Sequence, residues 1–341
     1  MLGVGVIGYG YWGPNLVRNF SDVAGCEVVS VCDLRAERRA LVSRRHPSVT
    51  TTADPDEIVR DPKVDAVVIA TPVSSHFELA MRAMAAGKHV WVEKPLALNV
   101  AQASKLVEQA DRTGRTLHVD HTFAYTTAVR KVRELVHSDS LGQIYYYDSV
   151  RVNLGLFQHD VDVIWDLAVH DLSIIDYVLP DKPVAVSATG IAHVPGKPEN
   201  IAYITLFFES SLIAHVHVNW LAPVKVRRTL IGGDKRMVVY DDVEPSEKVK
   251  VYDKGITTRS GADVHQLQIG YRTGDMWAPQ LDVSEALHVE GNHFIECIGR
   301  GVPTLTDGRA GLRVVQILEA ASRSMRERGR TIELEASRCA A

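Results

Sequence analysis

The sequence predicts an α/β protein that begins with a doubly wound parallel sheet and continues with an α/β domain built on a largely antiparallel sheet. Three observations support this prediction. Short apolar runs alternate with helical patterns as far as about residue 120, a glycine-rich turn follows the first of these runs, and strand-rich sequence with hairpin turns comes afterwards. We therefore expect two domains, 1–122 and 123–341.

Strands and helices alternate through the first domain. The predicted strands are Leu2–Ile7, Glu27–Cys32, Ala66–Ala70, His89–Val92 and Thr116–Val119. The predicted helices are Ala36–Arg45, Ser75–Ala86 and Val100–Thr113, of which the last two are followed by Gly87 and Gly114, where a helix commonly ends. This alternation is typical of right-handed βαβ units.

The second domain is predicted to be rich in strands. A basic amphipathic helix over Thr127–His137 precedes them, and Val163–Leu179 is their one long helical interruption. The predicted strands are Ile144–Asn153, Val184–His193, Ile201–Glu209, Leu212–Trp220, Arg227–Ile231, Arg236–Tyr240 and Lys248–Asp253. The mixed, polar stretch Gly255–Gly274 is expected to be a long loop, and helices return in Ser284–Ile298 and Gly311–Arg326.

Composition excludes several classes of protein. The 341 residues carry a formal net charge of −4, which gives no field for nucleic acid or an anionic membrane. The four cysteines are scattered and suggest a reducing compartment. No secretory signal and no apolar run of about 18 residues is visible, so we expect a cytoplasmic protein.

The stretch Gly8–Gly13, with the sequence GYGYWG, lies between the first predicted strand and a helix that begins at Pro14. One glycine lets the chain turn, a second lets the backbone approach a pyrophosphate, and a third lets the helix pack closely on the strand. The unpaired N–H groups at the start of a helix favour an anion. This pattern predicts a dinucleotide-binding turn, with a plain tight turn as the alternative.

Asp33 supplies the second half of this fingerprint. It follows the predicted strand Glu27–Cys32 and lies twenty residues after Gly13, which matches the ~20-residue offset of an acid that hydrogen-bonds the ribose diol. A helix N-cap is the structural alternative. Because a carboxylate repels a 2′-phosphate, Asp33 favours NAD, while the nearby Arg35 keeps NADP open.

Two further motifs carry groups that can transfer protons. Lys94 follows a predicted parallel strand at its carboxyl end, where open α/β sheets bind ligands. A lysine beside a cationic nicotinamide has its pKa lowered and can donate to a substrate oxygen. Asp166 and His170 are four residues apart and share one helix face, where the carboxylate can orient the imidazole and raise its basicity. A surface lysine, and a capping aspartate beside a satisfied histidine, are the structural alternatives.

Histidines and acids also raise the question of a metal site. They cluster between His159 and Asp171, and His215 and His217 share one face of a predicted strand. No spacing among them matches a metal signature, and there is no HExxH motif or cysteine pair. The sequence therefore predicts no catalytic metal.

The stretch Ala70–His76 passes from the end of a strand into a helix. Thr71 and Pro72 are expected to line the ribose-nicotinamide region of the cofactor, and Ser74 or Ser75 can cap the helix. His76 is expected more on the helix surface than as a ligand.

Taken together, these segments resemble the Gfo/Idh/MocA family, which includes glucose-fructose oxidoreductase and inositol dehydrogenase. The shared motifs, in family order, are GYGYWG, Asp33, ATP at Ala70–Pro72, EKP at Glu93–Pro95 and DLAVH at Asp166–His170. The resemblance implies a Rossmann domain followed by an α/β domain with an open, mostly antiparallel sheet, whose outer face usually makes the oligomer contact. It also implies that Lys94, Asp166 and His170 are the catalytic residues, with His170 as the acid/base, and that Glu93 lies near the nicotinamide ribose.

The predicted cofactor is NAD, with NADP as the alternative. The residues predicted to contact it are Gly8, Gly10, Tyr11, Trp12, Gly13, Asp33, Arg35, Thr71, Pro72, His76, Glu93 and Lys94. The residues predicted to contact the substrate are Lys94, Tyr125, Arg151, Asn153, Gln158 and His170. We expect a homodimer or homotetramer through the C-terminal sheet, and no nucleic-acid or membrane partner.

Two positions depart from the family pattern. Ala168 replaces the usual glycine of the DxGxH segment, which is a small change. The arginine that commonly follows the last Rossmann strand is absent from the stretch Asp120–Phe123, so other polar residues are expected to recognise the substrate. A basic patch for a diphosphate is predicted from Arg151 with Lys225, Arg227 or Arg228.

This resemblance predicts an NAD(P)-dependent dehydrogenase acting on a secondary alcohol of a sugar, with a nucleotide-linked sugar as the leading substrate. Lys94 and His170 would hold the reacting oxygen, and His170 would take its proton. The alternatives are a cyclitol such as inositol or an aminocyclitol, reduction of a keto-sugar, and an NAD-binding protein without turnover.

Overall fold

A computed structural model describes residues 1–155, 161–260 and 267–334. The contacts within the chain divide it into two compact units. The first comprises Met1–Thr126 and Ser284–Gln316, and the second comprises Thr127–Val283 and Ile317–Ala341. The predicted α/β class is confirmed. The units differ from the predicted division at 122 in two respects: the first unit continues to Thr126, and Ser284–Gln316 belongs with it.

Six strands form the sheet of the first unit. They are β1 (Leu2–Ile7), β2 (Cys26–Cys32), β3 (Thr50–Thr52), β4 (Ala66–Ile69), β5 (His89–Glu93) and β6 (Leu117–Asp120). All neighbours are parallel, in the order β3-β2-β1-β4-β5-β6. The strand order reverses between β1 and β4, and open α/β sheets bind ligands beyond the carboxyl ends of the strands at such a point. The predicted doubly wound sheet is confirmed.

The helices of the described residues largely follow the predicted periodicity. They are α1 (Gly13–Asp22), α2 (Ala36–Arg45), α3 (Pro55–Arg60), α4 (His76–Ala85), α5 (Val100–Thr113), α6 (Thr127–His137), α7 (Val169–Val178), α8 (Ala286–Arg300) and α9 (Gly308–Arg326). The helix α5 shows why such ends are readable from sequence: the Asn99 side chain accepts from the N–H of Gln102 at its start, and Gly114 ends it with a φ of 63°.

The segment Ser284–Gln316 packs on the first unit through α8. The ring of Phe294 lies 6.3 Å from that of Phe20 in α1 and 5.5 Å from that of Trp91 in β5, measured between centroids. Just before α8, the Glu285 carboxylate accepts from the Arg18 guanidinium at 2.9 Å. These apolar and ionic contacts explain why this segment joins a unit from which it is distant in sequence.

The second unit is built on a nine-stranded sheet and a separate strand pair. The strands in chain order are β7 (Ile144–Leu154), β8 (Ala185–Ile191), β9 (Ile201–Phe207), β10 (Ile213–Asn219), β11 (Leu221–Gly233), β12 (Met237–Asp241), β13 (Val249–Tyr252), β14 (Gly255–Ser260), β15 (Leu267–Arg272), β16 (Met276–Trp277) and β17 (Ile332–Glu333). The large sheet has the order β16-β13-β12-β11-β7-β10-β9-β8-β17. Only β7 and β10 pair in parallel within its described strands, so the predicted, mostly antiparallel sheet is confirmed.

One predicted loop is wrong. The stretch Gly255–Gly274 contains β14 and β15, which pair antiparallel with Gly255 opposite Arg272; residues 261–266 lie outside the described ranges. Two strands that bond mainly to each other need no continuous apolar face, so the polar composition of this stretch gave no strand signal. The short elements β3 and α3 were also not predicted, because three to six residues are too few for a periodic pattern.

Within the described ranges, no helix combines the length and the apolar character that a membrane crossing requires.

Candidate active site

The glycines of the stretch Gly8–Gly13 lie between the end of β1 and the start of α1. Gly8 has a φ of 101°, a conformation that a side chain disfavours, and a Cβ there would lie 2.5 Å from the Ala70 carbonyl oxygen. A Cβ at Gly13 would lie 2.3 Å from the Gly8 carbonyl oxygen, so this glycine lets the helix pack on the turn. At Gly10 a Cβ would come within 4 Å of one described side chain, Arg35, at 3.8 Å. The turn therefore offers an open backbone to a pyrophosphate.

The start of α1 faces the same turn. Trp12 occupies the N-cap position, Pro14 lies in the first turn, and no described side chain caps the helix. N–H groups at such a helix start are available to an anion. Tyr11 and Trp12 are exposed and their rings make an edge contact at 5.6 Å between centroids. These features fit a dinucleotide on the open side of the turn.

Asp33 lies directly after β2 and is nearly buried. Its Oδ2 accepts from the Tyr9 amide at 2.8 Å, and its Oδ1 accepts from the Arg35 amide at 2.9 Å and the Arg35 Nε at 3.3 Å. Burial opposes ionisation, but the hydrogen bonds from Arg35 and Tyr9 outweigh it and hold the pKa of Asp33 below its ordinary value. The carboxylate thus stays charged and is tied to the glycine turn that it is predicted to serve.

His76 is buried, so its expected place on the helix surface is wrong. It is the first residue of α4 and is 1% exposed. Its Nε2 lies 2.9 Å from the Thr71 carbonyl oxygen and its Nδ1 lies 3.0 Å from the Pro95 carbonyl oxygen. Burial lowers the pKa of His76, and the two carbonyl oxygens oppose that shift. Both ring nitrogens face protein oxygens, and the predicted contact of His76 with the cofactor stays a prediction.

Lys94 comes directly after β5 at its carboxyl end and is half-buried. The Lys94-Pro95 peptide bond is cis. The preceding Glu93 is buried, and burial and the charge of Asp120 raise the pKa of Glu93 well above its ordinary value, against the influence of Lys94. Lys94 therefore stands directly beside a buried acidic residue at the carboxyl end of the strand.

Glu93 belongs to a buried acidic cluster that the sequence did not reveal. Its other members are Asp120, which lies opposite it at the end of β6, and Glu290 of α8. Burial and the charges of Asp120 and Glu93 raise the pKa of Glu290 well above its ordinary value. His118 contacts Glu290, with its Nε2 3.0 Å from Oε1. Buried carboxyl groups this close favour shared protons. Glu290 belongs to Ser284–Gln316, which is distant in sequence from Glu93 and Asp120, so no local motif indicated that it contributes to this cluster.

Asp166 and His170 belong to the second unit, and Lys94 to the first. The predicted helix over this motif begins with a π turn, Ile164–Ala168, and continues as α7. The indole Nε1 of buried Trp220 donates to Asp166 Oδ2 at 3.0 Å. Asp166 and His170 are both half-buried. The indole fixes the carboxylate, a contact that lies fifty-four residues away in sequence and was not predicted.

Two predicted substrate contacts are core residues. Arg151 on β7 is buried, and its Nε lies 2.6 Å from Asp171 Oδ2, so it forms a buried ion pair. Tyr125 is also buried, with its hydroxyl 3.5 Å from Thr306 Oγ1; burial raises its pKa. Asn153 is half-buried on β7, and Gln158 lies outside the described residues. Burial of Arg151 and Tyr125 argues against their predicted contact with a substrate, while the contacts of Asn153 and Gln158 stay predictions.

The predicted diphosphate patch is largely neutralised. Arg227 on β11 lies 3.1 Å from an Asp242 carboxylate oxygen, and Arg228 lies 3.0 Å from one of Asp241. With Arg151 paired to Asp171, three of the four basic residues proposed for the patch have carboxylate partners.

The histidines of β10 lie on a sheet face, as predicted. The Tyr203 ring stacks on His217 at 4.5 Å and on His215 at 6.0 Å between centroids. Among the described residues, no group of three or more histidines, cysteines or acids is arranged to hold a metal ion.

The doubly wound sheet and the open glycine turn are those of a dinucleotide-binding protein. The chain belongs to the Gfo/Idh/MocA family. The profile described as "Oxidoreductase family, NAD-binding Rossmann fold" matches residues 2–121, and the profile of the "GFO/IDH/MocA C-terminal domain" matches residues 129–239. The predicted family, the NAD cofactor and the assignment as a dehydrogenase are thereby confirmed.

Curated relatives agree with this assignment, and a solved structure shares the fold. The chain is 30% identical to a UDP-N-acetylglucosamine 3-dehydrogenase of Acidithiobacillus ferrooxidans, over 91% of this chain and 93% of the relative. It is 24% identical to a myo-inositol 2-dehydrogenase of Thermotoga maritima, over 97% and 98%. An Agrobacterium radiobacter oxidoreductase, solved with NAD+, L-tartaric acid and magnesium, has the same fold, with a TM-score of 0.82 at 20% identity over 98% of each chain.

Proposed function

We propose that this chain is an NAD-dependent dehydrogenase of a secondary alcohol on a free sugar or cyclitol, without a nucleotide group. The pairing of Arg151, Arg227 and Arg228 with carboxylates supports this proposal most strongly. A diphosphate carries two negative charges and needs unpaired cations or N–H groups to replace its water. A polyol needs hydrogen-bonding groups instead. The relationship to a myo-inositol 2-dehydrogenase agrees with such a substrate.

The residues of the glycine turn fit the cofactor, with Asp33 for its ribose diol and the start of α1 for its pyrophosphate. When bound, NAD supplies the hydride acceptor. We assign Lys94 to donate a hydrogen bond to the reacting oxygen, and His170 to take its proton. Asp166, held by the Trp220 indole, orients His170.

A nucleotide-linked sugar is the second candidate. The observation in its favour is the 30% identity to a UDP-N-acetylglucosamine 3-dehydrogenase. For this substrate, the ion pairs of Arg227 and Arg228 would have to open, and both lie at least partly exposed. Exposed ion pairs contribute only ~0–1 kcal/mol, so an anionic ligand can compete for them.

Turnover with substrate classes decides between the two candidates. NADH formation is measured at mildly alkaline pH with free sugars and cyclitols, UDP- and TDP-sugars, and hexose phosphates. We expect turnover with a free polyol and none confined to nucleotide sugars. Turnover of nucleotide sugars alone would overturn the leading proposal, and replacement of both Arg227 and Arg228 by Ala should then raise KM for that substrate more than for a free sugar.

We also propose that two or four copies assemble through the nine-stranded sheet. Tyr203 on β9 and Ile213 on β10 are exposed large side chains on the same face of that sheet, which supports a covered face. Light scattering after gel filtration tests this, and replacement of Tyr203 and Ile213 by Ser should yield a monomer.

A further inference from the structure

We propose that His76 is a positioning residue, which joins the loop that carries Lys94 to the loop that carries Thr71 through the two nitrogens of one imidazole ring. The inference rests on the proposed function, because it assigns the ring a part in placing Lys94 for the substrate and Thr71 for the cofactor. His76 itself would touch neither.

The two loops leave neighbouring strands. Thr71 follows β4 and Lys94 follows β5, and these strands pair in parallel, with Ile69 opposite Val92. Their carboxyl ends therefore open on the same edge of the sheet, where such folds bind ligands. Beyond Ile69 and Val92 the strand ladder no longer joins the two segments, so a contact between the loops can restrict the distance between them.

His76 makes that contact from a buried position. Its Nε2 lies 2.9 Å from the Thr71 carbonyl oxygen, and its Nδ1 lies 3.0 Å from that of Pro95. Both acceptors are backbone atoms, so the ring holds main chain to main chain. Pro95 is the residue next to Lys94 and has a φ fixed by its ring, so the anchored carbonyl restricts the backbone that carries the Lys94 side chain.

The Thr71 loop is ordered by a second set of bonds. The Ser75 hydroxyl donates to the Pro72 carbonyl oxygen at 2.8 Å and lies 2.6 Å from the Thr71 Oγ1. These bonds act within the loop and do not reach Lys94. The imidazole of His76, in contrast, links this loop to the neighbouring one.

The polarity of the ring distinguishes this role from simple packing. A side chain that only fills space in the core is usually apolar, because a buried polar atom without a hydrogen bond lowers stability. Here both ring nitrogens point at carbonyl oxygens of different loops. The neutral ring has one N–H and donates to one carbonyl at a time, whereas the protonated ring donates to both. In either form both nitrogens lie against protein oxygens, so neither is directed at a cofactor.

Two substitutions separate the two bonds. An asparagine amide reaches about as far as the Nδ1 of histidine, and a glutamine amide about as far as the Nε2. In His76→Asn the bond to Pro95 is kept and the bond to Thr71 is lost, so we expect KM for NAD and Kd for NADH to rise about fivefold, with kcat within about twofold. In His76→Gln the bond to Thr71 is kept and the bond to Pro95 is lost. We therefore expect kcat to fall about tenfold, with the affinity for NADH nearly unchanged.

The matched control is His89, at the amino end of β5, whose Nδ1 accepts from the Thr116 amide at 3.1 Å. Neither His89→Asn nor His89→Gln should split kcat from NADH affinity. Equal effects of the two His76 variants, in parallel with a loss of Tm, would show a purely structural role and overturn the proposal, as would two unchanged variants.

The role of His76 can be tested even if the proposed dehydrogenase activity is not found. If the unmodified protein oxidises no sugar or cyclitol, NADH titration still tests the bond to Thr71. The rate at which an amine-reactive ester labels Lys94, followed by mass spectrometry, then replaces kcat. We expect that rate to change in His76→Gln by more than threefold and to stay constant in His76→Asn; the same rate in both variants would contradict the inference.

Discussion

Asp33 accepts a hydrogen bond from the backbone N–H of Tyr9, with 2.8 Å between Oδ2 and the amide nitrogen. This bond joins the end of β2 to the glycine turn. Because the carboxylate also accepts from Arg35, its pKa lies below the ordinary value in spite of burial. If Asp33 binds the ribose diol as proposed, its negative charge at neutral pH would repel the 2′-phosphate of NADP.

Replacement of Asp33 by Ala should therefore weaken NAD binding more than NADP binding. The loss of a charged hydrogen-bond acceptor predicts a rise of about tenfold or more in Kd for NAD. Arg35, released from its carboxylate partner, can then bind a 2′-phosphate. Fluorescence titration with NADH and NADPH measures both constants.

Asp65→Ala is the matched control, because Asp65 Oδ2 accepts from the Gly3 amide at 2.8 Å, at the other end of β1. It should lower stability and leave the ratio of the two constants unchanged. A ratio that also stays the same in Asp33→Ala would refute the role of this carboxylate in cofactor choice.

Trp220 should contribute to catalysis through Asp166. The substitution Trp220→Phe keeps a large buried ring and removes the N–H that donates to Asp166 Oδ2 at 3.0 Å. We expect kcat to fall about three- to tenfold with an unchanged Kd for NADH. Steady-state kinetics measures this, with Trp165→Phe as control, since the Trp165 indole donates to Ser322 at 2.9 Å. Equal kcat values for the two variants would contradict the prediction.

The Arg151 and Asp171 pair should matter for stability rather than for substrate binding. Both side chains are 3% exposed, and removal of one partner from a buried ion pair costs about 3–5 kcal/mol. Arg151→Met should therefore lower the free energy of unfolding by about that amount, measured by urea denaturation. A variant of unchanged stability and raised KM would instead restore the predicted substrate contact.

The ion pair between Arg18 and Glu285 should make the stability of the first unit depend on pH. Hydrogen bonds from Arg18 and Asn19 lower the pKa of Glu285 to about 2. A carboxylate with a lowered pKa stabilises the fold above its ordinary pKa, and this contribution is lost as the pH falls through the lowered value. Glu285→Gln should thus lower Tm at neutral pH, and the difference should shrink between about pH 4.5 and 2. A difference in Tm that is constant over this range would contradict the assignment.

Added salt should also reduce the difference in Tm between Glu285→Gln and the unmodified protein, because both side chains of the ion pair are about half exposed.

Site residues could be predicted from the sequence where their position depends only on the local backbone. The glycine turn, Asp33 and the position of Lys94 at a strand end all depend on one strand and the residues just after it, and apolar runs and glycine spacing encode these directly. The same holds for α5, whose ends are marked by Asn99 and Gly114.

Contacts between distant segments were not predictable in this way. Glu290 contacts His118, which is 172 residues away in sequence, and Trp220 contacts Asp166, which is 54 residues away. Burial of Arg151 depends on Asp171 of a neighbouring element, so its charge alone suggested a substrate contact. A polar residue on a strand has the same sequence pattern whether it faces solvent or an ion-pair partner.

The most direct test of the account is the turnover and cofactor affinity of Lys94→Ala, once a substrate has been found. General acid–base groups contribute roughly 100- to 10,000-fold, so we expect kcat to fall at least about 100-fold, with Kd for NADH within about threefold of the unmodified protein. Lys88→Ala is the control, since the Lys88 ammonium donates to the Asp61 and Val64 carbonyl oxygens and should affect Tm alone. Unchanged turnover in Lys94→Ala would remove this residue from the mechanism and contradict the proposed site.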